Sequence, residues 1–529
     1  MRHPLKTEVL IIGGGVTGTA LARDLALRGV QCTVVEKGDI NSGASGSNHG
    51  LLHSGCRYVL SDAATARECW EENGILKKTA AHCIDDTGGL FVAVEGDDEQ
   101  YAADFPTLCA RCGIPVNCLD IHEARELEPS LSERIFAVYE VKDAAIDPFR
   151  ISLENIAHAT EMGAASLQHT QVIGFRTGRR RIEAAFLRDL KTSEEFTIEP
   201  NQVVAASGAW SGEVAAMAGA AIPIIYSKGT LLVAERRIAR RVINRLRPPA
   251  DGDILVPGGT VSILGTSSVR IDSLNGTRPT IPETDLIVQE GAAMLPALES
   301  VRFIRAYSGV RPLLSTAHLD NDRLEKRGFA LLDHTTEGLE NFLTIVGGKL
   351  TTHRLMAEKA ADLVCQRMNV LKPGSTRIQP LPDNTAGMWT DPGVGPRTWL
   401  KERSHDNQVL CECEILPQSI IEGVTRSMED QHEAASLTGI SLRSRMGKGP
   451  CQGTFCGLRV TAHLYEEGKF VQHEGVALLK EFLQERWKGE RAVLWDGQIM
   501  QAELKEAIYC ATGCLDRLAA DAPAGSKDP

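Results

Sequence analysis

The sequence predicts an α/β fold followed by a small helical module, and three observations carry that prediction. A short apolar run, Glu8 to Ile12, enters the turn Gly13-Gly14-Gly15 and opens a helical pattern. Apolar strands ending in glycine-rich turns recur far downstream, over residues 203–211 and 343–354. A proline-rich stretch then separates these from four cysteines, Cys411, Cys413, Cys451 and Cys456.

A chain of 529 residues is too long for one core, and its 43% hydrophobic and 24% charged content is that of a globular protein. The net charge of −12 argues against general nucleic-acid binding. An anionic ligand therefore needs a local cluster of Arg and Lys. Residues 1–10, MRHPLKTEVL, hold no apolar signal core, and no stretch reaches the roughly 18 apolar residues of a membrane span. The expectation is a cytoplasmic protein whose membrane contact is peripheral or made through a partner. Fourteen cysteines without an export signal read as thiols rather than disulfides. Cys109 and Cys112 form a lone C-x-x-C with no second pair nearby, so they read as buried thiols.

The elements follow in order. Glu8 to Ile12 is a buried strand. Gly18, Leu21, Ala22 and Leu25 mark one face of a helix that Gly29 ends, and Cys32 to Val35 is the next strand, closing on Glu36. Residues 41–58, NSGASGSNHGLLHSGCRY, read as a functional loop, and residues 62–84 as a helix. Val203 to Ala206 is a strand before SGAWSG, and residues 222–315 mix short strands and turns. Leu343 to Val346 leads into Gly347-Gly348-Lys349 and a helix over about 352–367. Pro373, Pro380, Pro382, Pro392 and Pro396 mark a linker, residues 476–487 a helix, and DAPAGSKDP a disordered end.

Gly13-x-Gly15-x-x-Gly18 fits the dinucleotide fingerprint of a Rossmann-like unit. It follows a strand and opens a helix whose free N–H groups face a pyrophosphate, and Glu36 stands where a carboxylate accepts ribose hydroxyls. The motif alone does not choose FAD over NAD. The recurrence of glycine-rich segments at residues 206–211 and 345–354 favours FAD, which is long enough to touch separated parts of a chain.

The GGGxxGxxxARDxAxRG start, the GASGSNHGLLHSG loop and the GGKLTTHR segment resemble the glycerol-3-phosphate dehydrogenase branch of the FAD-dependent oxidoreductases, over nearly the whole chain. The resemblance implies a Rossmann-like FAD-binding domain with an inserted mixed-sheet substrate domain, together residues 1–370, with FAD-binding parts at about 1–90, 150–215 and 330–370. It implies FAD contacts from Gly13, Gly15, Gly18, Glu36, Ser45, Asn48, Gly208, Gly348, Lys349, Leu350 and Thr351. Arg57 and Arg311 would hold phosphate or the developing carbonyl oxygen, and Lys349 would stabilise charge on the reduced flavin. His53 is the first choice of base, with His49 and His353 as alternatives, and His353 stands where relatives often carry Tyr. The implied reaction is oxidation of sn-glycerol 3-phosphate to dihydroxyacetone phosphate. An amine or 2-hydroxyacid dehydrogenase, or a non-catalytic electron-transfer protein, would use the same cofactor motifs.

The cysteines form a C-x-C pair and a C-x₄-C pair. The first departs from the C-x₂₋₄-C of structural zinc, and plant-type ferredoxin spacing is absent. CEC followed by RMGKGPCQGTFC resembles the small helical [2Fe–2S] module of bacterioferritin-associated ferredoxin; zinc and free thiols are the alternatives. On this reading residues 371–408 are a linker, 409–465 the iron–sulfur module and 466–529 a helical extension and tail. Arg443, Arg445 and Lys448 would offset the cluster's negative charge, and Gly447, Gly449 and Gly453 would let N–H groups reach its sulfurs. With this module the resemblance implies a B subunit carrying its own flavin, FMN, and a membrane-bound C subunit. Through them the chain would attach to the inner membrane and pass electrons to quinone.

Overall fold

A computed structural model describes residues 4–275, 277–314, 328–431 and 433–517. The chain divides into two compact units. The first takes in Met1–Thr277, Pro282–Val301 and Tyr307–Asn384; the second takes in Arg278–Ile281, Arg302–Ala306 and Thr385–Pro529.

In the first unit, β1 (Leu5–Ile12), α1 (Val16–Leu27) and β2 (Cys32–Val35) make the expected βαβ start. β1 is central in an eight-stranded sheet, parallel to β2 on one side and to the strand Glu195–Ala205 on the other. Phe342–Gly347 extends that parallel run by pairing with Glu195–Ala205. Val9, Leu10 and Ile11 have no solvent exposure, as a strand covered on both faces requires. Helix α1 is buried almost all round because helices Pro148–Glu161 and His353–Arg367 flank it. Asp147 caps the first of these by accepting from the N–H groups of Phe149 and Arg150, with Pro148 in the first turn.

A second, nine-stranded mixed sheet is built from strands between Gly89 and Leu314, so it is inserted into the first in two pieces. Helix Glu99–Arg111 covers it through Phe105, which packs on Phe91 and Tyr139. Within the stretch read as strands and turns lies a full helix, Ile281–Met294. Ile287, Gly291 and Met294 recur there at helical spacing and are buried, and that local period prevails over the strand-rich surroundings.

The proline-rich stretch also differs from a bare linker. Arg23 donates to the carbonyls of Gln379 and Pro380, and Leu381 is buried with its N–H on the Thr79 carbonyl, so residues up to 384 are fastened to the first unit. Residues 394–402 form a helix of the second unit. The prolines sit between or at the ends of elements, which is why composition alone read them as a spacer.

The second unit is mainly helical. Helices Gln418–Asp430, Leu437–Arg443, Cys456–Glu466 and Glu474–Trp487 enclose a core of Ile421, Val424, Ile440, Val460, Leu464 and Phe482, beside a two-stranded ladder of Val409–Cys411 with Leu416–Pro417. Among the described residues no helix is long and apolar enough to cross a membrane.

Candidate functional site

One cavity of about 720 Å³ in the first unit gathers most of the residues singled out in the sequence. Gly13, Gly15, Glu36, Ser45, Asn48, Gly208, Gly348 and Leu350 line it, and so do His49, His53, Arg57, Arg311 and Lys349. Gly18 and Thr351 are not in its wall. A Cβ on Gly18 would stand 2.0 Å from the Gly13 carbonyl oxygen, so Gly18 serves the close packing of α1 on the turn. Thr351 lies behind the wall, fully buried, and its Oγ1 accepts the His53 N–H at 3.0 Å. His353 is buried outside the wall too, with its Nδ1 2.7 Å from the Leu350 carbonyl.

At the nucleotide end, Glu36 accepts from the N–H groups of Gly14 at 2.7 Å and Gly38 at 2.8 Å, and from Ser42 Oγ at 3.0 Å. The Ser45 hydroxyl accepts the Val16 N–H at the start of α1. Asn48 folds its own loop, donating to the Ser45 carbonyl and accepting the Gly50 N–H. Lys37 sits 3.5 Å from the centre of the Trp210 ring at the same end.

The other end is cationic. Arg57 donates from Nη2 to the buried Asp253, while its Nη1 is enclosed with no partner among the described residues. Arg311 donates to Thr266 Oγ1 and to the Ser267 carbonyl at 3.3 Å. Lys349 lies 4.4 Å from the centre of the Tyr58 ring, and the Tyr58 hydroxyl is 3.4 Å from His53 Nε2. Burial holds His53 well below the usual imidazole range, helped by His49, Lys349 and Arg57. Burial, then Arg311 and Arg57, pulls His49 down to about 3. Both imidazoles are therefore neutral near pH 7, in a field that favours anions. Sequence reasoning missed Asp253 and Tyr58. Asp253 is remote in sequence from the arginine it holds, and Tyr58 is an ordinary residue in the GCRY turn.

In the second unit the four cysteines converge. Cys411 ends a strand, Cys413 and Cys451 are in turns, and Cys456 begins a helix whose N-terminus favours negative charge. Cys451 is within bonding reach of Cys413 and Cys456, and Cys411 of Cys456. Hydrogen bonds from the neighbouring thiols, Cys456 to Cys411 and Cys413 and Cys456 to Cys451, hold both sulfurs toward the thiolate form against burial. Backbone N–H groups of Glu414 and Gly447 at Cys411, and of Phe455 and Gly453 at Cys451, add to this. Hydrogen bonds to the neighbouring sulfurs, Cys451 for Cys413 and Cys411 and Cys451 for Cys456, then burial and like charge, push Cys413 and Cys456 up. Four crowded thiols cannot all ionise without a cation among them. Two of the cations expected to serve the quartet are already paired: Arg443 with Glu433 at 2.8 Å, and Arg445 with Glu414 at 3.0 Å.

Residues 8–363 match the FAD dependent oxidoreductase family. The fold is shared with the FAD-complexed glycerol-3-phosphate dehydrogenase of Bacillus halodurans, at a TM-score of 0.65 and 20% identity over 93% of this chain and 96% of that one. The A subunit of the anaerobic glycerol-3-phosphate dehydrogenase of Escherichia coli K12 is 37% identical over 98% of this chain and 99% of its own. Its counterpart in Haemophilus influenzae is 38% identical over 96% of this chain and 93% of its own, and the A1 subunit of the Haloferax volcanii enzyme 36% over 96% and 90%. The chain belongs to the FAD-dependent oxidoreductases. Within them it belongs to the family of anaerobic glycerol-3-phosphate dehydrogenase A subunits.

Proposed function

We propose that this protein oxidises sn-glycerol 3-phosphate to dihydroxyacetone phosphate at a bound FAD and passes the electrons through a [2Fe–2S] cluster to partner subunits. The observation that carries the substrate is the cationic end of the cavity: Arg57, Arg311 and Lys349 line one wall in a chain of net charge −12. The unpartnered Nη1 of Arg57 fits an anion that completes its bonds.

The residues divide the work. Gly13 and Gly15, with the N-terminus of α1, accommodate the pyrophosphate, and Glu36 the ribose. A bound FAD would supply the hydride acceptor for the carbinol carbon. Arg57 and Arg311 hold the phosphate dianion and fix that carbon's position. His53 takes the hydroxyl proton, so loss of one hydride and one proton leaves the ketone; burial and the neighbouring cations make it a weak base at rest, which the negative charge of a bound phosphate offsets. Lys349, held over Tyr58, places a positive charge on the same wall.

The cysteine donor set fits an iron–sulfur cluster. Cys451 neighbours Cys413 and Cys456, Cys456 neighbours Cys411, and backbone N–H groups point at Cys411 and Cys451, which supports a thiolate-bound metal centre. Cys411, Cys413, Cys451 and Cys456 would ligate it, and the exposure of Cys413 offers an exit for electrons. The relatives are each named as one part of a larger enzyme, which supports further subunits here, B and C, delivering electrons to quinone and holding the chain at the membrane.

The test is anaerobic mixing with glycerol 3-phosphate while flavin absorbance is followed, together with iron and acid-labile sulfide assays. Bleaching of the flavin by glycerol 3-phosphate is the expected result. Bleaching by glycine, a D-amino acid or 2-hydroxyglutarate instead would overturn the substrate, and zinc without sulfide would overturn the cluster.

A further inference from the structure

Arg486, in the last turn of the helix Glu474–Trp487, lays its guanidinium against the loop that carries Cys451 and Cys456. Its Nη2 donates to Gln452 Oε1 at 2.7 Å, and Gln452 lies in the CQGTFC loop between Cys451 and Cys456. Gln452 in turn donates to the Gly449 carbonyl, so the arginine is tied to the loop that presents two of the four thiols. A Cβ placed on Gly447, whose N–H points at Cys411, would stand 3.8 Å from Arg486 Nε. That Nε is enclosed and has no partner among the described residues. Burial, then its neighbour Arg305, push Arg486 below the usual guanidinium range, while Cys456, Glu485 and Cys451 pull it back up, so the guanidinium stands within electrostatic reach of both thiols. Its neighbour Arg305 is balanced by Glu485 at 3.5 Å, and Arg443 and Arg445 are balanced by Glu433 and Glu414. No carboxylate ion pair is formed by Arg486 among the described residues.

A buried donor that finds no protein acceptor is costly, and a sulfur-rich anion beside it supplies an acceptor. Iron–sulfur potentials are set by net charge and by hydrogen bonds to the sulfurs. One-electron reduction takes [2Fe–2S]²⁺ to [2Fe–2S]⁺ and adds one negative charge, which a fixed cation stabilises more in the reduced state than in the oxidised one. We propose that Arg486 is a positioning residue of the cluster site that raises its reduction potential, making the cluster a ready acceptor of single electrons from the reduced flavin. The proposal rests on the [2Fe–2S] reading.

The experiment uses the full chain, purified anaerobically, with Arg486→Gln and Arg486→Lys variants. Iron and acid-labile sulfide are assayed first, and the midpoint potential is then read by dithionite titration followed by electron paramagnetic resonance. Wild-type protein without iron and sulfide would defeat the cluster reading itself, before any variant is compared. With clusters present, R486Q is expected to lower the equilibrium constant for reduction at least tenfold, which is about 59 mV for one electron. R486K, keeping the charge but losing the planar fork, is expected to fall between R486Q and wild type. An unchanged midpoint in R486Q overturns the proposal, as does an equal shift in both variants. Loss of the cluster from both variants makes Arg486 structural and overturns it too.

Discussion

Arg57 donates from Nη2 to Asp253 Oδ2 at 2.7 Å, and both side chains are buried. Asp253 also accepts the Ala250 N–H at 2.6 Å and Arg247 Nε at 2.9 Å, so one carboxylate fixes a cavity arginine and its own loop. Asp253→Asn keeps the shape and removes the charge. Breaking a buried pair costs about 3–5 kcal/mol. The variant is expected to lose about 3 kcal/mol in urea unfolding, and KM for glycerol 3-phosphate should rise about tenfold as Arg57 loses its orientation. Unchanged KM with full stability loss would confine Asp253 to a structural role.

Arg311 approaches the cavity over Gly229 and is held by Thr266 and Ser267. Hydrogen bonds to a charged group are each worth about 1.5–3 kcal/mol. Arg311→Ala should therefore lower kcat/KM for glycerol 3-phosphate by about 10- to 100-fold and leave the weak oxidation of glycerol nearly unchanged. Equal losses on both substrates would show that the arginine does not read the phosphate.

The βαβ start was legible because two strong local signals coincide there: an apolar strand, and glycines demanded by close approach at Gly18. The helices after residue 352 and around 476–487 were legible from periodicity, and they run His353–Arg367 and Glu474–Trp487. The helix Ile281–Met294 was hidden because its exposed face carries Ile281 and Leu286, which blurs the apolar stripe. Pairings across long separations leave no local trace. Asp253 with Arg57, and Glu414 with Arg445, are choices the tertiary fold makes after the elements form. The cationic wall was visible as residue types, but the partners that orient it were not.

Gly449 stands against the cysteine quartet with no room for a side chain. A Cβ there would lie 2.3 Å from Cys413 Cβ. Gly449→Ala must displace Cys413 or the loop after it, at about 1–3 kcal/mol for an overpacked site. If the quartet holds the proposed iron–sulfur cluster, the variant purified anaerobically should hold less than half the iron and sulfide of the wild type and retain its FAD. Full iron content would mean that the added methyl leaves the proposed metal site undisturbed, against the close approach to Cys413.

His353 gives a pH dependence whose sign is fixed. It is buried outside the cavity, and its pKa is pulled down to about 4, chiefly by burial, with Arg354 and Arg23 assisting against the Leu350 carbonyl. In the unfolded chain the same imidazole titrates near 6.5. Between those values the unfolded state binds a proton that the folded state refuses. The stabilising contribution is therefore fully present above about pH 6.5 and is lost as pH falls toward 4, at about 1.4 kcal/mol per pH unit. His353→Gln removes that proton from the balance whatever constant offset it adds. Urea unfolding at a series of pH values from 7.5 down to 5 should give a stability curve shallower than wild type by about 1.4 kcal/mol per unit below pH 6, and parallel to it above pH 7. Parallel curves throughout would mean that His353 takes up its proton equally in the folded and unfolded chain, so that burial does not depress it.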